Sequence, residues 1–397
     1  MQSRLRSTRT LLCLAFGAAF AASAWPALAG TALAYPEYRV TIMAPANSVA
    51  TGINSAGVVI GNYATNPSAP AGTTKSAFLN RGNGLVDLRT SYAPAVDAVA
   101  INDKGQVLGH WTNRAGQRRG FLYAAGSWRD IGAIPGRITT FTDINNAGYV
   151  TAYGAIAGAL WVPQGFLRAP NGTLTNVGWL PGDAAPLTYA YAINNHNRIV
   201  GVSGEDSIPD QIYRAFTWSG GAMRDLGDLG TGPNAALAVN DCGQATGYAS
   251  LLEAYRTRVA VLYSHGRTID IDGRPHSLEH YSEGAAINGH GHVVGASDHL
   301  SGFVYRGKRM QSLNALIDPK LGWDITSPRG INDAGQIAAT AYRKGVPYAV
   351  RLDLIRPQVL RLPESEAAGT EGSVAAPAPE KAEAEAQARE VVRPVSQ

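Results

Sequence analysis

The sequence holds only two cysteines, and charged residues make up just 16% of it. Cys13 falls in an N-terminal apolar run and Cys242 in the body, so loss of that run leaves no internal disulfide to expect. A lone thiol in a repeated turn reads as structural rather than as a nucleophile. Stability must then come from burial and strand pairing. Long apolar runs are missing as well. The one candidate, Leu11 to Ala24, falls short of the roughly 20 residues that span a bilayer. Arg4, Arg6 and Arg9 precede it and Ala27-Leu28-Ala29 follows, which reads as an export leader over residues 1–29. The expectation is a secreted or periplasmic protein with no transmembrane anchor.

Concentrated charge is absent too. The formal balance is +4, but the leader carries three arginines, and the tail beyond Leu362 has seven glutamates against three basic residues. The body between them stands near +5, mild for its length, with Lys and Arg scattered. A nucleic-acid surface wants a basic stripe with interleaved aromatics, and none is visible. Helical periodicity is lacking throughout the body. So are a serine-hydrolase elbow, a phosphate-cradling glycine loop and a zinc-binding cysteine pair.

What is present is a repeat. An apolar residue, Asn, two variable residues and usually Gly recur at Ile53-Asn54, Ile101-Asn102, Ile144-Asn145, Ile193-Asn194, Val239-Asn240, Ile287-Asn288 and Ile331-Asn332. Successive asparagines lie 48, 43, 49, 46, 48 and 44 residues apart. Asn suits the first position of a type I turn, where its side chain accepts a local backbone hydrogen bond. The residue three later must take positive φ to start a bulge, which suits Gly. Asn197, which replaces Gly in the fourth copy, is the next-best residue for that backbone.

A second phrase follows each turn. Ala or Gly precedes Phe78, Phe121, Phe166, Phe216 and Phe303, with Val261 and Val350 in the remaining copies. One large apolar anchor per repeat is what packing between neighbouring sheets requires. A turn glycine comes next, then a short strand such as Met223-Arg224-Asp225-Leu226-Gly227. Each unit thus predicts four short strands, A to D, with A ending at Ile-Asn and C carrying the Phe. Four strands per period of about 46 residues predict an all-β fold, a seven-bladed β-propeller of four-stranded antiparallel blades over residues 30–356. The D strand is present after only six copies. Tyr38 to Ile42 can supply the seventh and close the ring.

These phrases resemble the secreted HAF-repeat family, named for a His-Ala-Phe stretch at strand C. Here Ser76-Ala77-Phe78, Arg119-Gly120-Phe121 and Arg214-Ala215-Phe216 lack the His. The resemblance covers about residues 36 to 354 and implies an exported bacterial repeat protein. It brings no catalytic residues. Residues 357–397, rich in Ala, Glu and Pro, are expected to be a disordered tail.

Strand alternation puts the A–B and C–D turns on one face and the B–C and D–A connections on the other. Length varies on the second face, where function is usually placed on a repeat scaffold. Candidates there are Trp179, Tyr281 and Trp323 in D–A connections and Glu205, Asp206 and Asp210 in a B–C connection. Their other reading is a cover for sheet edges. His276, His280 and His299 could meet, but His276-Ser277-Leu278-Glu279-His280 needs a helix to act as a zinc motif, so no metal is expected. Asp103, Asp241 and Asp333 are single acids in short turns, too few for calcium. The expectation is a monomeric, non-enzymatic binding module for an extracellular glycan or protein, with no cofactor and no nucleic-acid partner. The alternative is a propeller glycan hydrolase or lyase using Glu205, Asp206, Asp210 and Asp324, which would need paired carboxylates about 5–10 Å apart.

Overall fold

The computed structural model describes residues 36–66, 75–156, 162–181, 186–206, 211–230, 232–251, 257–275 and 280–355. Contacts divide the chain between Arg356 and Pro357. The expected leader and the expected tail both lie outside the described residues. Within them the fold is all-β, a β-propeller of four-stranded antiparallel sheets, with two short 3-10 turns at Leu313–Leu316 and Pro319–Leu321 and no α-helix.

The A strands are Ser48–Ile53, Val96–Ile101, Arg137–Ile144, Pro186–Ile193, Asn234–Val239, His280–Ile287 and Asp324–Ile331. Each starts a meander of four strands, as in Ser48–Ile53, Val59–Ala64, Lys75–Asn80 and Leu85–Asp87. The last meander has only three of its own, and Tyr38–Ile42 pairs antiparallel with its final strand, Val346–Leu354, from Tyr38↔Leu354 to Ile42↔Val350.

The turn chemistry follows the sequence. Asn54 Oδ1 accepts the backbone N–H groups of Ala56 and Val58 at 3.1 and 3.0 Å, and Gly57 closes the turn at φ 74°. Asn197 adopts φ 56° in the glycine position of its copy. The other half of the amide does something the turn does not require. Asn54 Nδ2 donates to Asn102 O, Asn102 to Asn145 O, Asn145 to Asn194 O, Asn194 to Asn240 O, Asn240 to Asn288 O and Asn288 to Asn332 O. Asn332 Nδ2 then donates to Asn54 O.

The strand C anchors are fully buried at Phe78, Phe121, Phe216, Phe303, Val261 and Val350, and Phe166 nearly so. They pack onto the preceding sheet: Phe121 lies among Val58, Ile60, Ala77 and Leu79. Each ring also covers a strand B residue of its own sheet. Gly61 faces Phe78 in register, and a Cβ added there would come within 2.7 Å of the ring. Gly109, Gly201 and Gly295 repeat this opposite Phe121, Phe216 and Phe303. In four copies the residue two before the anchor pairs with strand D: Ser76 with Asp87, Gln164 with Asn176, Arg119 with Asp130 and Arg214 with Asp225. That is the position of the missing His.

One feature departs from the expectations. A two-residue parallel bridge, Thr257↔His280 and Arg258↔Tyr281, joins strand C of the fifth meander to strand A of the sixth.

Candidate functional site

Every A strand carries an irregularity at one place, where its register against strand B slips by a residue. The extra residues are Thr51, Val99, Thr142, Tyr191, Leu237 and Ala285, and in the last meander Thr326 and Arg329. A β-bulge re-aims a side chain and leaves ladder groups unpaired. Here all but Thr326 line one cavity of about 600 Å³, shared by all seven A strands. The bulge thus points the most variable side chains of the repeat at a common space. Some freed ladder groups are met from the preceding sheet: Asn62 Oδ1 accepts Ala98 N–H at 2.8 Å, and His110 Nε2 accepts Phe141 N–H at 2.9 Å.

That role explains the charge state of His110. Burial, helped by nearby Arg118, pulls its imidazole down to about 3, so it stays neutral and accepts. Asp143, also lining the cavity, accepts Ile144 N–H at 2.8 Å and Ile193 N–H at 2.9 Å. Burial nevertheless pushes its carboxyl up to about 6. Its two oxygens are committed to backbone.

A second space of about 620 Å³ lies at the A–B turns, lined by the repeated asparagines and their followers. Ser55 N–H donates to Asp103, Asp103 N–H to Asn146, Asn195 N–H to Asp241 and Gly289 N–H to Asp333. Burial pushes Asp103 up, but hydrogen bonds from Asn146 and Ser55 outweigh it and hold it below its ordinary value. These acids bridge neighbouring sheets. Among the described residues no group of three or more His, Cys, Asp or Glu could hold a metal ion.

Away from the turns, neighbouring A, B and C strands present an aromatic surface. Tyr189 and Tyr191 stack at 5.9 Å and 15°, and Tyr153 meets Tyr189 edge-on at 4.8 Å. All three are half-buried, with Tyr213, Tyr248 and Leu237 beside the two stacked rings in one cluster. Burial raises the Tyr191 hydroxyl, and the neighbouring tyrosines add to it. Arg258 lies over the Tyr248 ring at 4.3 Å. Burial, then Glu283, pushes Tyr281 up to about 12 against the opposing pull of Arg258 and Arg329.

Of the sequence candidates, Tyr281 belongs to this surface. It lies in strand His280–Ile287 rather than in a connection, because the bridge to Arg258 extends the strand outward. Glu205 and Asp206 likewise fall in strand Ile199–Asp206, opposite Ile212 and Gln211, because the hairpin ladder runs on to its end. Asp210 and His276 lie outside the described residues. Trp179 is exposed in its connection, while Trp323 packs edge-on to Tyr348 at 5.4 Å beneath Arg343. Neither tryptophan lines either cavity. Asp324 accepts Asn314 Nδ2 at 2.9 Å. His280 is buried against Asp272 at 2.9 Å, and His299 stands beside Ser297. The tyrosines and arginines went unsingled because their spacing follows no motif. A bulge at the same step of each A strand is the signal that groups them.

No family model and no curated protein matches the chain. Solved structures do. The β-propeller domain of the Trilobed protease from Pyrococcus furiosus aligns with TM-score 0.50 at 10% identity, over 77% of this chain and 95% of that one. YCF48 bound to D1 peptide aligns with TM-score 0.50 at 12% identity, over 81% and 98%. Pyrococcus horikoshii acylaminoacyl peptidase aligns with TM-score 0.52 at 10% identity over 77% of this chain, which spans about half of the peptidase. At these identities the likeness is one of fold, and the fold is the β-propeller.

Proposed function

We propose that this chain is an exported propeller of seven blades, closed by its N-terminal strand, and that it binds a ligand without transforming it. The resemblance to HAF-repeat proteins and the leader-like N-terminus support export. The pairing of Tyr38–Ile42 with Val346–Leu354 and the return of the asparagine hydrogen bonds from Asn332 to Asn54 support closure. The ligand site is the axial mouth on the face opposite the Asn turns.

One observation carries the binding reading. The stacked Tyr189 and Tyr191 of one A strand, with Tyr153 of the preceding sheet's B strand edge-on, form a half-buried aromatic platform beside the axial cavity. Such rings offer apolar faces with polar tips, which suits recognition of amphipathic groups. At the cavity itself the Asp143 oxygens are occupied by backbone, so that carboxylate serves the scaffold.

The test incubates the mature protein with a panel of extracellular polysaccharides and peptides, following binding by calorimetry and cleavage by product analysis. Binding without products, weakened by Tyr191→Ala at unchanged fold, is the expected result. Turnover of a panel member, or binding lost only in Asp103→Ala and Asp333→Ala, would overturn it.

A further inference from the structure

The axial mouth is aromatic, but it is also cationic. Arg329 occupies a bulge position, is exposed and lines the 600 Å³ cavity. No hydrogen bond or ion pair holds it among the described residues. Arg258 is fixed by the parallel bridge to Tyr281 and by its stacking on Tyr248, and it too makes no ion pair there. Tyr281 places them in one region of the mouth: Arg258 pairs with it across the parallel bridge, and Arg329 stands on the A strand packed beside its own. Glu283, on the same strand as Tyr281, makes no ion pair with either arginine among the described residues. The guanidinium donors of both are left open at the mouth.

A guanidinium is a rigid fork matched to a carboxylate, and one stacked on an aromatic ring is already oriented. Arg258, oriented on Tyr248, and the open Arg329 beside the Tyr189–Tyr191 platform call for a ligand with repeated carboxylates and partly apolar rings. A peptide can supply the acids but offers them on flexible stems, whereas a uronate chain carries both features on each unit. Resting on the reading of the mouth as a ligand site, we propose that the ligand is an acidic polysaccharide. Its uronate carboxylates pair with Arg258 and Arg329, and its sugar faces lie on Tyr189 and Tyr191.

The test titrates the protein with oligogalacturonate and oligomannuronate of about eight units, with the carboxyl-reduced neutral form of each, and with poly-glutamate of equal charge. Melting curves of Arg258→Gln, Arg329→Gln and Tyr191→Ala check folding, and Arg329→Lys keeps the charge without the fork. At least one uronate should bind, about tenfold or more weaker once either arginine is neutralised, since a charge-assisted hydrogen bond is worth about 1.5–3 kcal/mol. Affinity should fall as salt rises, and the neutral form should bind correspondingly weakly. Equal binding of the neutral form, insensitive to the arginines, overturns the acidic ligand but keeps the aromatic site. Poly-glutamate binding as tightly, with Tyr191→Ala silent, replaces the glycan by an acidic peptide. Failure of both uronates overturns this inference, and the wider panel then decides the binding reading by itself.

Discussion

Asn332 donates its side-chain N–H to the main-chain carbonyl of Asn54 at 3.1 Å, across 278 residues of chain. The same amide oxygen accepts Gln336 N–H inside its own turn. One side chain thus fixes a local turn and joins it to the next sheet, and each repeat holds a copy. The arrangement needs both halves of an amide, which explains why Asp never replaces Asn at this position.

Asn332→Asp keeps the acceptor and removes the donor, while Asn332→Ala removes both. Buried polar groups left unpaired cost about 1–3 kcal/mol each. Urea midpoints should fall for both variants, further for Ala. An Asp variant as stable as the parent would show that the link between sheets contributes nothing.

Phe121→Ala and Phe216→Ala should each cost about 3–5 kcal/mol, as expected for a buried ring whose site cannot collapse. The strand B partner should be sensitive as well. A Cβ on Gly109 would run into Asp97 O and the Phe121 ring, so Gly109→Ala should cost about 2–3 kcal/mol. Denaturation midpoints equal to the parent's would reject the register of the sheet core.

Asp143 gives a pH signature. Its carboxyl stands at about 6 in the fold against an ordinary 3.8, raised by burial. A raised value means the contribution is fully present below about pH 4 and is lost as pH rises through about 6. The shift corresponds to up to about 3 kcal/mol. Stability of Asp143→Asn relative to the parent should therefore improve between pH 4 and pH 7.5. A difference between the two proteins that stays constant over this range would contradict the burial of this carboxyl.

Trp179 and Trp323 should behave differently on truncation. Trp323 packs on Tyr348 with Arg343 over its ring, so Trp323→Ala should lower stability by about 2 kcal/mol. Trp179 is 46% exposed, and Trp179→Ala should leave the melting midpoint within about 0.5 kcal/mol of the parent. Equal losses would mean that Trp179 covers a sheet edge.

The repeat phrase alone determined much of this protein. Asn and Gly at fixed offsets specify a turn whose geometry is local, and a Phe every 46 residues or so specifies a buried strand. Strand class, turn type and anchor positions follow from such short-range chemistry, and the D strand missing from one copy gives the pairing partner of Tyr38–Ile42. What only the tertiary structure decided depends on which sheets become neighbours. The second hydrogen bond of each Asn reaches a carbonyl 43 to 49 residues away in six copies, and no local rule announces it. The bulge in each A strand adds one residue without a turn signal, yet it re-aims Tyr191 and Arg329 toward the same space. Arg258 and Tyr281 meet through a parallel bridge that nothing in their spacing predicts. Backbone conformation is a property of a few adjacent residues, whereas a site gathered from several sheets exists only once they have packed.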